Sequence, residues 1–261
     1  MGRSALSDRR RKKMTSMKSK LIVFGSTAVV FSLLASSVMA ELDVKISPAK
    51  EFVEIPYEGN VVRIQRIQDK ENVLSGGFAK TSRACPPFCI QPILVAPGVT
   101  TIGELELLDF LESKVKDNQG VLIDARVPSW HAKGTIPGSI NIPFTLFEQS
   151  ANNGDLIEAM RKLGVKRVGY DDPGAVTKLM RSFKGLLGLN DSHPSNWDFS
   201  EAKEIALWCN GMWCGQSPRA IRALIKHQYP ADKIKYYRGG MQAWAILGLS
   251  VVVPDTRLSS L

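Results

Sequence analysis

The chain has 261 residues, of which 44% are hydrophobic, and this composition fits one or two globular domains rather than a disordered or fibrous protein. The formal net charge of +9 is unevenly distributed. The first forty residues hold eight Lys and Arg against one Asp, whereas the rest of the chain holds 26 basic and 24 acidic residues. This near balance excludes the broad basic surface of a nucleic-acid-binding protein, so no nucleic-acid partner is expected.

The N-terminal segment has the organisation of a secretory signal peptide. A positive run at positions 9–13 precedes an apolar stretch at 21–34, and residues 38–40 offer a cleavage site similar to the small-x-small pattern. We therefore expect residues 1–40 to be a signal peptide that exports the protein, in a bacterium to the periplasm. The alternative is an uncleaved anchor, because the apolar stretch approaches the roughly 20 residues that cross a bilayer. Only then would the membrane be a partner.

Residues 41–97 are predicted to be an N-terminal extension of the main domain. Positions 52–55 and 61–67 alternate apolar and polar residues around a turn that contains Gly59, which predicts a β-hairpin with one buried face. A single hairpin is too small to make a core of its own. We therefore expect it to pack on the rest of the protein.

The extension ends in a pair of cysteines, Cys85 and Cys89, with two prolines between them. In an oxidising compartment a disulfide between them is the first expectation, and a redox-active dithiol is an alternative. A metal site built from all four cysteines of the chain is a further alternative. Neither pair has the two-residue spacing of common zinc sites, so no metal is predicted.

The most informative stretch of the chain surrounds Cys209. A short apolar run at 205–208 predicts a buried strand, and Ser217 followed by Pro218 predicts a helix that begins with a serine cap. The loop between them contains glycines and would direct main-chain N–H groups and a helix N-terminus at the thiol. Such surroundings lower a cysteine pKa from about 8.5 to about 3.5–7.5. We predict an accessible, ionised nucleophile at Cys209; the alternative is a buried structural cysteine.

Four segments, in order over residues 100–253, resemble the rhodanese superfamily. Residues 121–126 look like its strand that ends in Asp-x-Arg, and 134–143 are similar to its Gly-His-Ile-Pro-Gly-Ala-Ile-Asn-Ile-Pro signature, with Thr135 in place of the histidine. The loop after Cys209 is the third segment, and residues 237–244 look like the Gly-Gly-x-x-x-Trp element. The resemblance implies a three-layer α/β fold, in which helices flank a central, mostly parallel sheet.

The resemblance also implies the domain organisation. We expect a rhodanese-like domain over residues 98–254, followed by a tail at 255–261. Residues 165–197 look like an insertion between strands, long and amphipathic enough to act as a lid or partner surface. The aromatic residues next to the cysteine motif, Tyr236 among them, are expected to be core, except Trp213, which is expected to wall the pocket.

By the same resemblance, Cys209 is the position that carries a persulfide. The reaction implied is sulfur transfer from a small sulfur-containing donor to a thiol or a protein acceptor, without a cofactor. Asp124 and Arg126 are expected to be structural, tying strand ends to neighbouring loops. The residues expected to bind the substrate lie in the loop and the start of the helix: Asn210, Gly211, Met212, Trp213, Gly215, Gln216, Ser217 and Arg219.

Three departures from the family pattern leave the activity open. The loop is longer than usual, it contains no arginine between Cys209 and Ser217, and it holds a second thiol, Cys214. Activity towards thiosulfate is therefore uncertain, and Cys214 is a candidate resolving thiol. The alternatives are a thiol–disulfide redox protein that uses Cys209 and Cys214, and a non-catalytic binding module. A phosphatase is excluded, because Gly215 stands where that chemistry needs arginine.

Overall fold

The structure, a computed structural model, describes residues 42–168 and 196–255, which belong to one compact unit that begins at Glu41. The predicted signal peptide lies outside the described residues. So do most of the predicted insertion and all but the first residue of the predicted tail. Within the described ranges, no helix is long and apolar enough to cross a bilayer.

The described secondary structure alternates strands and helices after an N-terminal hairpin. In chain order the strands are β1 (Phe52–Tyr57), β2 (Asn60–Gln65), β3 (Thr100–Ile102), β4 (Gly120–Asp124), β5 (Ser139–Asn141), β6 (Lys166–Arg167), β7 (Trp197–Asp198), β8 (Glu204–Trp208) and β9 (Ile234–Tyr237). The helices are α1 (Glu104–Phe110), α2 (Pro128–His131), α3 (Phe144–Phe147), α4 (Gly154–Lys162), α5 (Gln216–Lys226) and α6 (Gly240–Ile246). A π-helical turn, Leu111–Val115, extends α1, and 3-10 turns lie at Gly76–Ala79 and Ala231–Lys233.

A parallel sheet forms the centre of the described structure, in the order β3-β9-β8-β4-β5. Both faces of the central strand β8 are covered, as its uninterrupted apolar run requires. Ile205 and Leu207 contribute to the core on one face, whereas Ala206 and Trp208 contribute to the core on the other. The predicted parallel sheet between helices is therefore confirmed.

Each core is completed by a different set of helices. On the first face, α3, α4 and α5 contribute buried residues such as Phe147, Met160 and Leu224. On the second face, α1 and α6 contribute Leu108 and Trp244. Helices α5 and α6, which both follow Cys209 in the chain, thus lie on opposite faces of the sheet, and the end of β8 lies between them.

The N-terminal hairpin is part of the second core. Strands β1 and β2 are antiparallel, and they are joined by a two-residue turn in which Glu58 and Gly59 have φ values of 48° and 77°. Positive φ at both positions matches the right-handed twist of a hairpin. Val53, Ile55 and Ile64 are buried against the main domain. The prediction that the hairpin packs on the rest of the protein is confirmed.

Candidate active site

Cys209 lies directly after the central strand β8, where the N-terminus of α6 fixes its backbone. The amide of Met241 donates to the carbonyl of Cys209 at 2.9 Å, and the amide of Gln242 donates to the carbonyl of Asn210 at 3.0 Å. Gly240 makes this approach possible, because it has a φ of 56° and any Cβ there would overlap the carbonyl of Cys209. The Gly-Gly element therefore positions the start of the cysteine loop.

The thiol of Cys209 is enclosed by the loop and by the first turn of α5. The hydroxyl of Ser217 donates to its Sγ at 3.0 Å, and Sγ lies 3.2 Å from the carbonyl oxygen of Cys214. Only 2% of Cys209 is exposed. The sequence predicted an accessible thiol, and this prediction is wrong for the conformation seen here, because the loop folds over the sulfur rather than opening towards solvent.

The ionisation predicted for Cys209 is also reversed. Burial raises the pKa of the Cys209 thiol well above its ordinary value, and the neighbouring Cys214 raises it further. Hydrogen bonds from the hydroxyl and the main-chain amide of Ser217 act in the opposite direction without overcoming the burial. The helix N-terminus and loop amides, on which the sequence argument relied, are therefore present but are outweighed.

Cys214 carries the low pKa in this site. A hydrogen bond from Cys209 and the amides of Asn210 and Gln216 outweigh the burial of Cys214 and bring its pKa down to about 7. Both cysteines are free thiols in the structure, and Cys214 is 5% exposed. Near neutral pH, the first proton lost by the pair leaves its negative charge on Cys214, where two main-chain donors stabilise it.

The helix after the loop begins two residues earlier than predicted. Helix α5 starts at Gln216 with Gly215 as its N-cap, so Ser217 is not the cap. Ser217 is fully buried in the first turn, and its hydroxyl bonds to sulfur rather than to a helix amide. Pro218 still fits, because the first-turn amide that it lacks would have no intrahelical partner.

The remaining loop residues form the wall of the site. The side-chain amide of Asn210 donates to the Sγ of Cys214 at 3.8 Å, and the carbonyl of Gly211 accepts from the Cys214 amide at 2.9 Å. Trp213 donates from its indole to Gln242 at 2.6 Å, and Met212 is 43% exposed. The loop is therefore held from both ends, with Met212 at its outer surface.

Arg219 does not join the other predicted binding residues. Its guanidinium donates two hydrogen bonds of 2.7 Å to the carboxylate of Glu148 and stacks over the ring of Phe144. The sequence placed Arg219 among the residues expected to bind the substrate. In the structure its charge is paired with Glu148, and a role in substrate binding stays a prediction.

Three polar atoms around the cysteines lack a hydrogen-bond partner among the described residues: Asn210 Oδ1, Gln216 Oε1 and the Tyr236 hydroxyl. Tyr236 is fully buried on β9 and pairs in register with Leu207 of β8. Side chains alternate along a strand, so Cys209, two residues after Leu207, continues the same face, and α5 with its Ser217 packs there.

Sequence reasoning placed Tyr236 in the core, and its ring does lie there. Its hydroxyl was missed. The signal was available, because a buried tyrosine normally finds a partner for its O–H group. An unpaired hydroxyl beside two thiols indicates a site where a bound group would supply that partner.

The family comparison agrees with the geometry of the site. A model of the rhodanese-like domain matches residues 107–247, more than half of the chain. The chain belongs to the rhodanese-like domain family. The matched range contains the central strand, the cysteine loop, α5 and α6.

Solved structures with rhodanese-like features are distant from this chain. A rhodanese-related protein from Thermoplasma volcanium is 17% identical, with a TM-score of 0.31, over 59% of this chain and 99% of its own. A human single-domain sulfurtransferase is 17% identical, with a TM-score of 0.31, over 56% of this chain and 96% of its own. One from Saccharomyces cerevisiae is 13% identical, with a TM-score of 0.31, over 56% and 89%. No curated protein matches the chain.

The Asp-x-Arg element of this rhodanese-like domain forms a buried network at the end of β4. Arg126 donates to both carboxylate oxygens of Asp124, at 2.8 and 2.6 Å, and to the carbonyl of Gly134 at 2.7 Å. His131 and Thr135 also bond to Asp124. Burial opposes the charge, but the bonds from Arg126 and His131 lower the pKa of Asp124. The network ties the strand end to the loop that carries the signature segment.

The second cysteine pair of the rhodanese-like chain is oxidised. Cys85 and Cys89 form a disulfide in the structure. Within the described ranges, no group of three or more His, Cys, Asp or Glu residues is arranged to hold a metal ion. Cys85 is exposed and Cys89 is half-buried, in contrast to Cys209 and Cys214.

Proposed function

We propose that the protein is a sulfurtransferase that carries sulfane sulfur as a persulfide on Cys209. The observation that carries the proposal is the 3.0 Å hydrogen bond from the Ser217 hydroxyl to the Cys209 sulfur, at the end of the central strand of a rhodanese-like domain. A hydroxyl and a main-chain amide directed at one sulfur stabilise negative charge on it. A structural cysteine in an apolar core would have no use for either donor.

Activation of Cys209 begins with Cys214. Cys214 has a pKa of about 7, so a large fraction of it is thiolate at neutral pH, and it is hydrogen-bonded to Cys209. A nucleophile whose own pKa is high is activated by an adjacent base. In this proposal Cys214 accepts the proton of Cys209 when the sulfur donor binds.

Sulfur is then taken up in one displacement. With thiosulfate as donor, the Cys209 thiolate attacks the outer sulfur, a Cys209–S bond forms, and the bond between the two donor sulfurs breaks as sulfite leaves with the electron pair. The outer sulfur of the new persulfide carries the negative charge. The Ser217 hydroxyl and amide remain directed at the Cys209 sulfur throughout.

Tyr236 is proposed to bind the outer sulfur. Burial raises the pKa of its hydroxyl, and the charges on Cys209 and Cys214 raise it further, so the phenol stays protonated at neutral pH. It therefore acts as a hydrogen-bond donor and not as a base. A persulfide on Cys209 would supply the acceptor that the hydroxyl lacks among the described residues.

Sulfur leaves by the reverse chemistry. An acceptor thiolate attacks the outer sulfur, the bond to Cys209 breaks, and the Cys209 thiolate recovers its proton from Cys214. Two half-reactions on one cysteine predict ping-pong kinetics. The acceptor is proposed to be a small thiol or a cysteine of a carrier protein.

Mass spectrometry of the purified protein tests the proposal. After incubation with thiosulfate, the peptide that contains Cys209 should gain the mass of one sulfur, and an added thiol should remove that mass. Absence of the gain after treatment with several sulfane donors, in protein whose Cys209 still reacts with an alkylating reagent, would refute sulfur transfer.

A thiol–disulfide redox activity is the second candidate. It is favoured by one observation: two buried free thiols lie within hydrogen-bonding reach, and one of them has a pKa of about 7. Such an arrangement is typical of dithiol oxidoreductases. Cys214→Ser separates the candidates, because it would abolish disulfide turnover but leave a persulfide on Cys209.

The proposed location is the periplasm. The charged and apolar pattern of residues 1–40 supports export, and the disulfide between Cys85 and Cys89 is of the kind that persists in oxidising compartments. Fractionation of cells that express the tagged full chain tests this proposal. Recovery of the protein, with its full mass, only from the cytoplasm would overturn it.

A further inference from the structure

A segment of the N-terminal extension, residues 78–91, lies across the outer surface of the cysteine loop, and we call it the strap. It contains the Cys85–Cys89 disulfide. The strap does not belong to the matched domain, which begins at residue 107. Its contacts with the loop are therefore a feature of this chain in addition to the family fold.

The first set of contacts is made on Trp213. The guanidinium of Arg83 stacks over its indole at 3.9 Å, and Phe88 packs edge-on against it at 5.5 Å between ring centres. Gln242 accepts from the indole N–H and donates to the carbonyl of Phe78 at 2.9 Å. Arg83 and Phe88, on either side of Cys85, thus clamp one loop tryptophan.

The second set of contacts is made by Gln91 at the end of the strap. Its amide donates to the carbonyl of Met212 at 2.8 Å, and its carbonyl accepts from the guanidinium of Arg238 at 2.8 and 3.1 Å. Its side chain lies beside Gly215, the N-cap of α5. The strap is therefore fixed at both ends, through Phe78 to Gln242 of α6 and through Gln91 to the cysteine loop.

These contacts keep the loop over Cys209. Met212, Trp213 and Gly215 belong to the loop that encloses the thiol, and all three are touched by the strap. Cys209 is 2% exposed in this arrangement, so a sulfur donor cannot reach it without a displacement of the loop. Such a displacement requires the strap to release Trp213 or Met212.

The disulfide constrains the segment that carries Arg83 and Phe88, the two residues that clamp Trp213. It closes a ring over residues 85–89 that contains Phe88, and the amide of Phe88 donates to the carbonyl of Ala84 at 3.0 Å, between that ring and Arg83. Opening the ring would restore conformational freedom to the segment that presents both side chains. Since Cys85 is exposed, a thiol reagent or protein can reach its sulfur in the closed state.

We infer that the Cys85–Cys89 disulfide is a thiol-exchange site whose reduction frees the strap and opens the way to Cys209. The inference rests on the proposed function, because it takes Cys209 as the reacting thiol. The reductant is a dithiol, such as a small dithiol or the reduced form of a dithiol protein. One of its thiolates attacks the Cys85 sulfur, and Cys89 leaves as thiolate.

The exchange is completed by the second thiol of the reductant. That thiol attacks the mixed disulfide, Cys85 leaves, and the reductant is released as its own disulfide. Two electrons and two protons have then passed to Cys85 and Cys89. Neither Cys209 nor Cys214 changes oxidation state, so the opened protein retains both thiols needed for sulfur uptake.

The experiment compares two proteins in which Cys209 is the sole free thiol of the four cysteines. One is Cys214→Ser with the Cys85–Cys89 disulfide intact, and the other adds Cys85→Ser and Cys89→Ser. Alkylation of Cys209 by iodoacetamide is followed by mass spectrometry. We expect Cys209 to react about tenfold faster, or more, in the protein without the disulfide, because access passes through local opening of the strap. Equal rates would overturn the inference.

A second pair of variants keeps the disulfide and tests the clamp itself. Arg83→Ala removes the guanidinium from Trp213, and Arg63→Ala removes a similar stack over Phe52, also at 3.9 Å, on the hairpin. Both are made in the Cys214→Ser background. Faster alkylation of Cys209 in the Arg83→Ala protein alone supports the clamp, even where the serine variants fail to fold. Equal acceleration by both variants would contradict it.

Sulfur uptake distinguishes this inference from the proposed function. The parent protein and a variant with Cys85→Ser and Cys89→Ser, both of which keep Cys214, are incubated with thiosulfate, and the mass of the Cys209 peptide is measured over time. Faster alkylation without any gain of sulfur would support the inference that the disulfide limits access to Cys209, and it would refute sulfur transfer. Equal uptake of sulfur with and without the disulfide would refute the inference that the disulfide limits access to Cys209, and it would support sulfur transfer.

Discussion

The two cysteine pairs of this chain have nearly the same spacing and opposite chemistry. Cys85 and Cys89, four residues apart, form a disulfide on an exposed segment, whereas Cys209 and Cys214, five residues apart, are buried free thiols. The difference lies in what surrounds the sulfur atoms. In the loop the Ser217 hydroxyl bonds to the Cys209 sulfur, and the amides of Asn210 and Gln216 bond to the Cys214 sulfur. Spacing therefore does not decide the state of a pair; the main-chain donors around it do.

The largest expected effect is on sulfur uptake, when one of the two loop cysteines is replaced. Cys209→Ser should abolish sulfur uptake from thiosulfate, because serine at this position cannot form a persulfide. Cys214→Ser should still take up one sulfur, but more slowly, by about 10²-fold, since the base that accepts the Cys209 proton is lost. The mass of the tryptic peptide, measured over time, checks both.

A variant in the strap serves as the control for these two substitutions. Cys85→Ser should take up sulfur on Cys209 faster than the parent protein, because it lacks the disulfide that constrains the strap. If Cys209→Ser still gains sulfur while Cys214→Ser does not, the roles assigned to the two loop cysteines are reversed.

The next effect concerns the backbone that holds the loop. Gly240→Ala should destabilise the protein by at least about 2 kcal/mol, because alanine there has a disfavoured positive φ and its Cβ would overlap the carbonyl of Cys209. Gly77→Ala, beside the strap, has no neighbouring atom to meet and should change the free energy of unfolding by less than about 1 kcal/mol. Urea denaturation measures both. Similar losses in the two variants would show that the Cys209 backbone is not specially constrained.

Two neighbouring tyrosines on β9 test whether Tyr236 binds the outer sulfur of the persulfide. Tyr236→Phe should slow transfer from the persulfide about tenfold or more, which corresponds to the loss of one hydrogen bond to a charged group. Tyr237→Phe removes a hydroxyl that donates to Glu104 at 2.9 Å, so it should reduce stability but not the transfer rate. Single-turnover transfer to a thiol, measured across pH, is the test.

The pH dependence of the transfer rate distinguishes a hydrogen bond from Tyr236 to the persulfide from a role of Tyr236 in packing alone. A lost donor to the persulfide shifts the pH profile of the transfer step, because the persulfide becomes harder to ionise, whereas a packing defect lowers the rate equally at every pH. An unchanged rate for Tyr236→Phe would remove this residue from the site.

The fold was predictable from the sequence because its signals are local. Each signal is carried by a short run of neighbouring residues. This holds for the apolar run of β8, for the alternation in β1 and β2, and for each of the four family segments. The position of Cys209 at a strand end followed from the same signals. The helix start at Gln216, two residues before the predicted start, was missed because the Ser217 hydroxyl bonds to sulfur and does not cap the helix.

What could not be predicted depends on contacts that are distant in the chain. The bond from Gln91 to Met212 and the stack of Arg83 on Trp213 join positions more than a hundred residues apart. No periodicity or spacing encodes them. They hold the strap against the loop that encloses Cys209, and the burial of Cys209 reversed the pKa expected from the helix N-terminus. A local pattern can thus identify the nucleophile and still give the wrong ionisation state.

The smallest effect tests which loop thiol is charged. Alkylation needs the thiolate, so its rate rises as the pH passes through the pKa from below. With the pKa of Cys214 at about 7, the parent protein should be labelled first on Cys214, with a midpoint near that pH. Cys209→Ala removes the hydrogen bond that lowers this pKa most, so the midpoint should move upwards, towards about 8.5. Peptide mapping after limited alkylation identifies the labelled residue. Labelling of Cys209 before Cys214 would mean that the charge of the pair lies on the nucleophile itself, and that the amides of Asn210 and Gln216 do not hold it on Cys214.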